Sequence, residues 1–227
     1  MKQIFSILLL LITTFTIAQD RKFPPPNESI KDHSLKTFLT NLKRAVQEKD
    51  TAFIYAALSA NIKNNFGNNG GINEFKKKWG LEKSNTTFWY YIGRVLSMPG
   101  CRSNNNTNEY TTPYVFCMPL KKNDDPFYIV VVTEKNIPLK ENPRASSKTL
   151  LTLNYNIISL LPTLSMSNEK EKNEIGEPKW SFVSVKYRKK EFKGWVYYKY
   201  IYSPVSYRLI LGKENGKWQI QAFVTGD

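Results

Sequence analysis

Thiols and imidazoles are scarce in this sequence: 227 residues contain two cysteines, Cys101 and Cys117, and one histidine, His33. Chemistry that needs several of either is excluded at once. A tetrahedral zinc site would have to recruit acidic partners, and these show no helical ligand spacing. A Cys/His nucleophile and base need mutual reach and a third orienting group, yet no histidine follows either cysteine. The Gly-x-Ser-x-Gly elbow of esterases is missing. Gly212-Lys213 is followed by Glu and Gly216-Lys217 by Trp, so neither opens a phosphate loop. Beyond residue 18 no stretch is apolar for the roughly 20 residues that a spanning helix needs, and no internal repeat is present. The sequence therefore predicts no metal, no cofactor and no enzyme.

What is present begins with an export signal. Lys2 precedes the apolar run Ile4 to Ile12, and Thr16-Ile17-Ala18 supplies small residues for cleavage, so residues 1–18 read as a signal peptide cut near Ala18. The competing reading, a membrane span, fails on length, because Ile7 to Ile12 stops at Thr13 and Thr14. A periplasmic or extracellular protein is expected, with no stable membrane insertion. Its 33 Lys and Arg against 19 Asp and Glu give a formal charge of +14. The basic residues are scattered among many asparagines, which suits a solvated surface better than a nucleic-acid patch. Nucleic acid is not an expected partner.

The 41% hydrophobic and 14% aromatic content is enough for one or two domains. Phe23-Pro24-Pro25-Pro26 places an extended linker at 19–28. Leu35, Phe38, Leu39, Leu42, Ala45 and Val46 share one face of a helix from Ser34 to Asp50, with Asp32 or Ser34 as its cap. Further helices are predicted over Thr51 to Asn65, Ile72 to Trp79 and Thr86 to Met98, with Asn68-Asn69-Gly70-Gly71 as a turn. Tyr110 to Met118 reads as a strand beyond the polar loop Ser103 to Asn108. Short strands follow at Tyr128 to Thr133, Leu150 to Leu153, Asn156 to Leu161, Trp180 to Tyr187 and Gly194 to Val196. Tyr207 to Gly212 and Trp218 to Thr225 flank Glu214-Asn215-Gly216, a hairpin signal. The acidic stretch Asn168 to Pro178, with Glu169, Glu171, Glu174 and Glu177, reads as a solvated loop. Cys101 and Cys117 can bridge in an oxidising compartment, closing a loop worth roughly 3 kcal/mol; two separate buried thiols are the alternative.

Residues 128–201 resemble bacterial SH3 domains, the SH3b family of extracytoplasmic proteins. The segments are YIVVVT, then NIPLKENPRASS in place of the usual Asn-Val-Arg-x-x-Pro run, Leu150 and Leu153, WSFVSV, and GWVYYKYI. Asn136, Pro143, Trp180 and Gly194-Trp195-Val196 carry the likeness, while Lys140 replaces the family's frequent Arg. Gly194 to Ile201 also resembles the closing segment of SH3 barrels at large. Tyr197 stands there in place of Pro and Lys199 in place of Asn, which argues against Pro-rich peptides. The whole chain is similar to SH3 domain-containing proteins of bacteria related to Flavobacteria, through Phe66-Gly67-Asn68-Asn69-Gly70 and the ending Gly216-Lys217-Trp218 to Phe223-Val224-Thr225-Gly226-Asp227.

The resemblance implies an SH3-like β-barrel at 127–201. Strands beyond it must then bury their apolar side elsewhere. The expected fold class is thus α+β: a helical N-terminal domain, 29–122 plus 202–227, completed by the C-terminal β-hairpin returning to the strand near Tyr110 to Met118, with the SH3-like barrel inserted. Trp180 and Tyr200 would line a ligand groove, Tyr198 would neighbour them, and Arg144 and Lys199 would orient carboxylates. The same aromatics, with Tyr187, Trp195, Tyr197, Tyr202 and Tyr207, could instead pack the two domains together. The expected function is a non-enzymatic binding protein recognising a peptide, a peptidoglycan fragment or an envelope protein. The alternative is a cell-envelope hydrolase using carboxylates of the N-terminal domain.

Overall fold

The computed structural model describes residues 21–27, 30–67, 70–102, 108–161, 172–173 and 175–226. The signal peptide at 1–18, Asn68-Asn69, most of the Ser103 to Asn108 loop, and Glu169, Glu171 and Glu174 lie outside the described residues.

Helix α1, His33–Glu48, starts where the Asp32 carboxylate accepts the Leu35 N–H at 3.0 Å, and it ends at Lys49 in the left-handed region. It buries Leu35, Leu39, Leu42, Ala45 and Val46, the face set by its sequence periodicity. Asp50 caps α2, Thr51–Ala57, through the Phe53 N–H at 2.9 Å. The chain then departs from the expected helix to Asn65: Leu58–Lys63 is strand β1. Ile54, Leu58 and Ile62 recur every four residues, a spacing that keeps one face in a helix and in a strand alike. Helices α3, Ile72–Trp79, and α4, Phe88–Leu96, follow.

Strand β2 covers only Glu109–Thr112, because Pro113 withdraws a ladder donor and the chain turns into a short 3₁₀ segment at Tyr114–Cys117. The C-terminal hairpin, β10 (Arg208–Glu214) and β11 (Lys217–Val224), turns through Asn215 and Gly216, both at positive φ. β10 pairs antiparallel with β2, from Leu209 opposite Thr112 to Gly212 opposite Glu109. β11 pairs in parallel with β1, giving a four-stranded sheet in the order β1-β11-β10-β2. The helices cover it, and Phe75, Trp79, Phe88 and Phe223 interlock within its core.

The second sheet is built from β3 (Ile129–Val132), β4 (Ile137–Lys140), β5 (Thr149–Leu153), β6 (Ile157–Leu160), β7 (Trp180–Tyr187), β8 (Lys190–Tyr197) and β9 (Ile201–Tyr202). Its order is β5-β4-β8-β7-β6-β3-β9. β4 and β8 approach closely at Gly194, where a Cβ would stand 2.5 Å from the Lys140 carbonyl oxygen.

These sheets correct the expected fold class. Among the described residues the chain is mainly β, with eleven strands in two sheets and four α-helices. The seven-stranded sheet is open: no ladder joins β5 to β9 among the described residues, so the SH3-like barrel does not close. The physical reason lies at β9. It is two residues long, and Arg94 of α4 donates to the carbonyl of Ile201 in β9 at 2.7 Å and to that of Tyr198, in the turn before it, at 3.0 Å, so a helix meets this edge. The chain then leaves for β10 in the other sheet.

β3 joins the two halves. All four of its residues are buried: Ile129 and Val131 enter the helix-covered core, Val130 and Val132 the core of the second sheet. The segment 21–23 reinforces this junction. Its backbone bonds Tyr155 and Ile157, the Arg21 guanidinium grips Asp124 at 2.5 and 2.7 Å, and Phe23 stacks on Tyr114 at 5.4 Å.

Candidate recognition face

Strand alternation decides which aromatic side chains share a face. Along β7 and β8 the antiparallel register sets Trp180 opposite Tyr197, Phe182 opposite Trp195, Ser184 opposite Lys193 and Lys186 opposite Glu191. Directly opposed residues share a face. Val183, Val185 and Val196 between them point into the second core. The outer face therefore begins with four aromatic rings in two rungs, Trp180 and Tyr197 at 5.2 Å edge to face, Phe182 and Trp195 at 5.0 Å. All four are half-buried, and among the described residues neither core includes them.

Cations border these rings. Lys199 Nζ lies 4.7 Å from the Tyr200 ring centre and 5.6 Å from that of Tyr197. Its hydrogen bond to Tyr200 holds the ammonium above its ordinary pKa. Lys140 stands opposite Trp195 on β4 and donates to the Ser147 carbonyl at 2.8 Å and to the Thr149 hydroxyl at 3.1 Å. Lys193 occupies the next outward position along β8. The Glu191 carboxylate at the far end accepts the Ser184 hydroxyl at 2.6 Å. That bond, followed by Lys193 and Lys186, lowers its pKa.

The four ligand-binding residues expected from sequence fall into three places. Trp180 opens the aromatic face, and Tyr200 reaches it through Tyr197, ring centres 6.2 Å apart, while also packing on the second core. Tyr198 is turned toward α4 instead: the Arg94 guanidinium lies 4.0 Å from its ring centre, and burial, opposed by Arg94, pushes its hydroxyl up to about 12. Arg144 is exposed in the turn between β4 and β5, bonded through its backbone to Asn142 and Ser147. No contact joins it to the other three among the described residues.

Packing claims Tyr202 and Tyr207, whereas Tyr187 lies beside Arg188 and belongs to neither core among the described residues. The Tyr202 hydroxyl donates to the Tyr207 carbonyl at 2.5 Å, Tyr91 donates to Glu177 at 3.0 Å, and Tyr207 lies against Tyr91, Trp79 and Phe223. Phe182 and Arg94 were missed by sequence reasoning. The first was available, since Trp180 and Phe182 sit two apart on a strand, as do Trp195 and Tyr197. The second carried no local signal.

Cys101 and Cys117 form a disulfide with Cα atoms 6.4 Å apart, which settles the alternative of separate thiols. His33 is exposed at the start of α1. Among the described residues the carboxylates whose pKa is displaced, Asp32, Asp124 and Glu191, all move down. Asp32 falls to about 2 through hydrogen bonds from the Ser34 hydroxyl and Leu35 N–H, and Asp124 falls through its bond from Arg21. A general acid would need the opposite displacement. Among the described residues no cluster of three or more His, Cys, Asp or Glu could hold a metal ion, and no helix is long and apolar enough to cross a membrane.

No family model matches this sequence, and no curated protein matches it. Among solved structures, a designed NTF2-like protein aligns with 85% of this chain and 96% of its own, at 8% identity and a TM-score of 0.27. A likeness that weak carries no argument about fold or function.

Proposed function

We propose that this chain is a non-catalytic recognition protein of the cell envelope, exported by residues 1–18, which takes its ligand on the outer face of β7 and β8. One observation carries the reading: Trp180, Tyr197 and Trp195 line one sheet face without belonging to either core. A contiguous aromatic patch outside a core is a mark of an interaction site. The disulfide supports an oxidising compartment. Tyr198 belongs to the junction with α4 in this reading, and Arg144 is not required.

The test compares retention of purified peptidoglycan, cell-surface polysaccharide and envelope protein by the wild type, Trp180→Ala and Tyr198→Ala. Loss of retention is expected for Trp180→Ala at unchanged circular dichroism. Retention equal to wild type by a folded Trp180→Ala protein rejects the face as the site.

A further inference from the structure

The turn end of the β7–β8 hairpin differs in chemistry from the aromatic rungs at its base. Five of the eight residues from Lys186 to Lys193 are Lys or Arg, and one is Glu. β6 and β4 join the hairpin nearer its base, at Val183 and Ser184 and at Trp195. The rungs beside the turn are Lys186 with Glu191 and Tyr187 with Lys190, and every residue from Lys186 to Glu191 except Tyr187 is exposed. The Glu191 carboxylate accepts the Ser184 hydroxyl at 2.6 Å, which draws it back toward the base. Positive charge therefore dominates the tip, carried by Lys186, Arg188 and Lys190; Lys189 is already engaged and is not counted.

The backbone of this tip favours other residues. Arg188 at φ 47° and Lys189 at φ 65° occupy the left-handed region that a two-residue hairpin turn requires, where Asn and Gly sit most readily. Strain kept at an exposed turn points to a use for the side chain displayed there. Shape then limits the partner. The end of a hairpin is convex, whereas small ligands are held in concave sites. A broad anionic surface needs no cleft, because long basic side chains reach its headgroups while their apolar stems lie along it. Tyr187 sits at the same end, half-buried and outside both cores, and a ring with a polar hydroxyl suits a lipid interface. It is a poorer platform for nucleic-acid bases, since the Arg188 guanidinium already lies 5.3 Å from its ring centre.

We propose that the tip of the β7–β8 hairpin is a peripheral membrane contact, setting Lys186, Arg188 and Lys190 against the headgroups of an anionic phospholipid surface with Tyr187 at the interface. The contact does not depend on the recognition face at the base of the hairpin. The chain from Gln19, which export would leave and which holds every described residue, is sedimented with vesicles of phosphatidylcholine alone or with one-third phosphatidylglycerol, at low and at physiological salt. Binding should require phosphatidylglycerol and weaken as salt rises. Arg188→Asn/Lys190→Gln should weaken it roughly tenfold or more, since each basic side chain at such a surface is worth about fivefold. Asn suits the left-handed turn position, so this variant is expected to fold. Lys36→Gln/Lys43→Gln removes the same charge from the exposed side of α1 and should change binding less than about twofold. Trp180→Ala should bind vesicles like wild type, which separates this contact from the recognition face. Equal binding to both vesicles, or equal weakening by the α1 variant, overturns the proposal, as does a folded tip variant that binds like wild type. A folded Trp180→Ala protein that loses the vesicles as fully as the tip variant overturns the assignment to the tip. Oligo-dT that displaces the protein from vesicles at equal phosphate concentration overturns the lipid surface in favour of nucleic acid.

Discussion

Arg94 ties helix α4 to the second sheet. Its guanidinium donates to the carbonyls of Tyr198 and Ile201 and lies against the rings of Tyr198 and Tyr202. Removing it leaves two partly buried carbonyls without that donor, at a cost of about 2–3 kcal/mol. Arg94→Ala should lower the urea midpoint accordingly, and a change below about 0.5 kcal/mol would show that water replaces the guanidinium at no cost. Asp32 acts at the opposite end of the four-stranded sheet. It caps α1 and lies 3.7 Å from Lys213 of β10 and 3.6 Å from Arg102. Its folded pKa of about 2 is below the ordinary value of 3.8. The stabilisation is thus complete above pH 4 and is lost as pH falls through 2. Between those values wild type should lose more stability than Asp32→Asn, and parallel acid limbs for the two proteins would refute the linkage.

At the scale of elements, local chemistry was legible wherever it sufficed. α1 followed from its apolar spacing and Asp32, and the C-terminal hairpin followed from Asn215-Gly216. β1 did not, because residues four apart share a face in either structure and the parallel partner β11 lies more than 150 residues away by sequence. Barrel closure was equally hidden, since it depends on what meets β9, and Arg94 lies 104 and 107 residues from its carbonyl partners. The aromatic face was half legible: Trp180 and Tyr200 were found, whereas the direction of Tyr198 was fixed by α4. The β7–β8 turn shows what a local rule leaves unoptimised. Arg188 at φ 47° and Lys189 at φ 65° occupy a two-residue turn that favours Asn-Gly. Each L-residue there costs about 1 kcal/mol. Arg188→Asn/Lys189→Gly should raise stability by about 1 kcal/mol, read as a higher urea midpoint at constant slope. A lower midpoint would mean that the two basic side chains outweigh the backbone strain.

Whether two sheets make two folding units depends on what they share. Two independently stable halves would each keep a core whose loss left the other intact. β3 does not permit that, because Ile129 and Val131 complete one core while Val130 and Val132 complete the other. Unfolding either sheet exposes one face of β3, and each buried Val or Ile is worth about 1.5–3 kcal/mol. Tyr202 and Arg94 add contacts between the halves, and Arg21 with Phe23 adds bonds across the junction. The coupling should exceed the margin by which either half would be stable alone. Urea unfolding should therefore be a single transition, with helix circular dichroism, which reports on the four-stranded half, coinciding with fluorescence of Trp180 and Trp195 in the seven-stranded half. The fluorescence can be isolated by replacing Trp79, Trp89 and Trp218 with Phe. Val130→Ala and Val131→Ala face opposite cores, and each should shift both probes together. If Val130→Ala lowered only the tryptophan midpoint, or the two wild-type curves separated, β3 would be a tether between autonomous domains and not the shared strand of one cooperative unit.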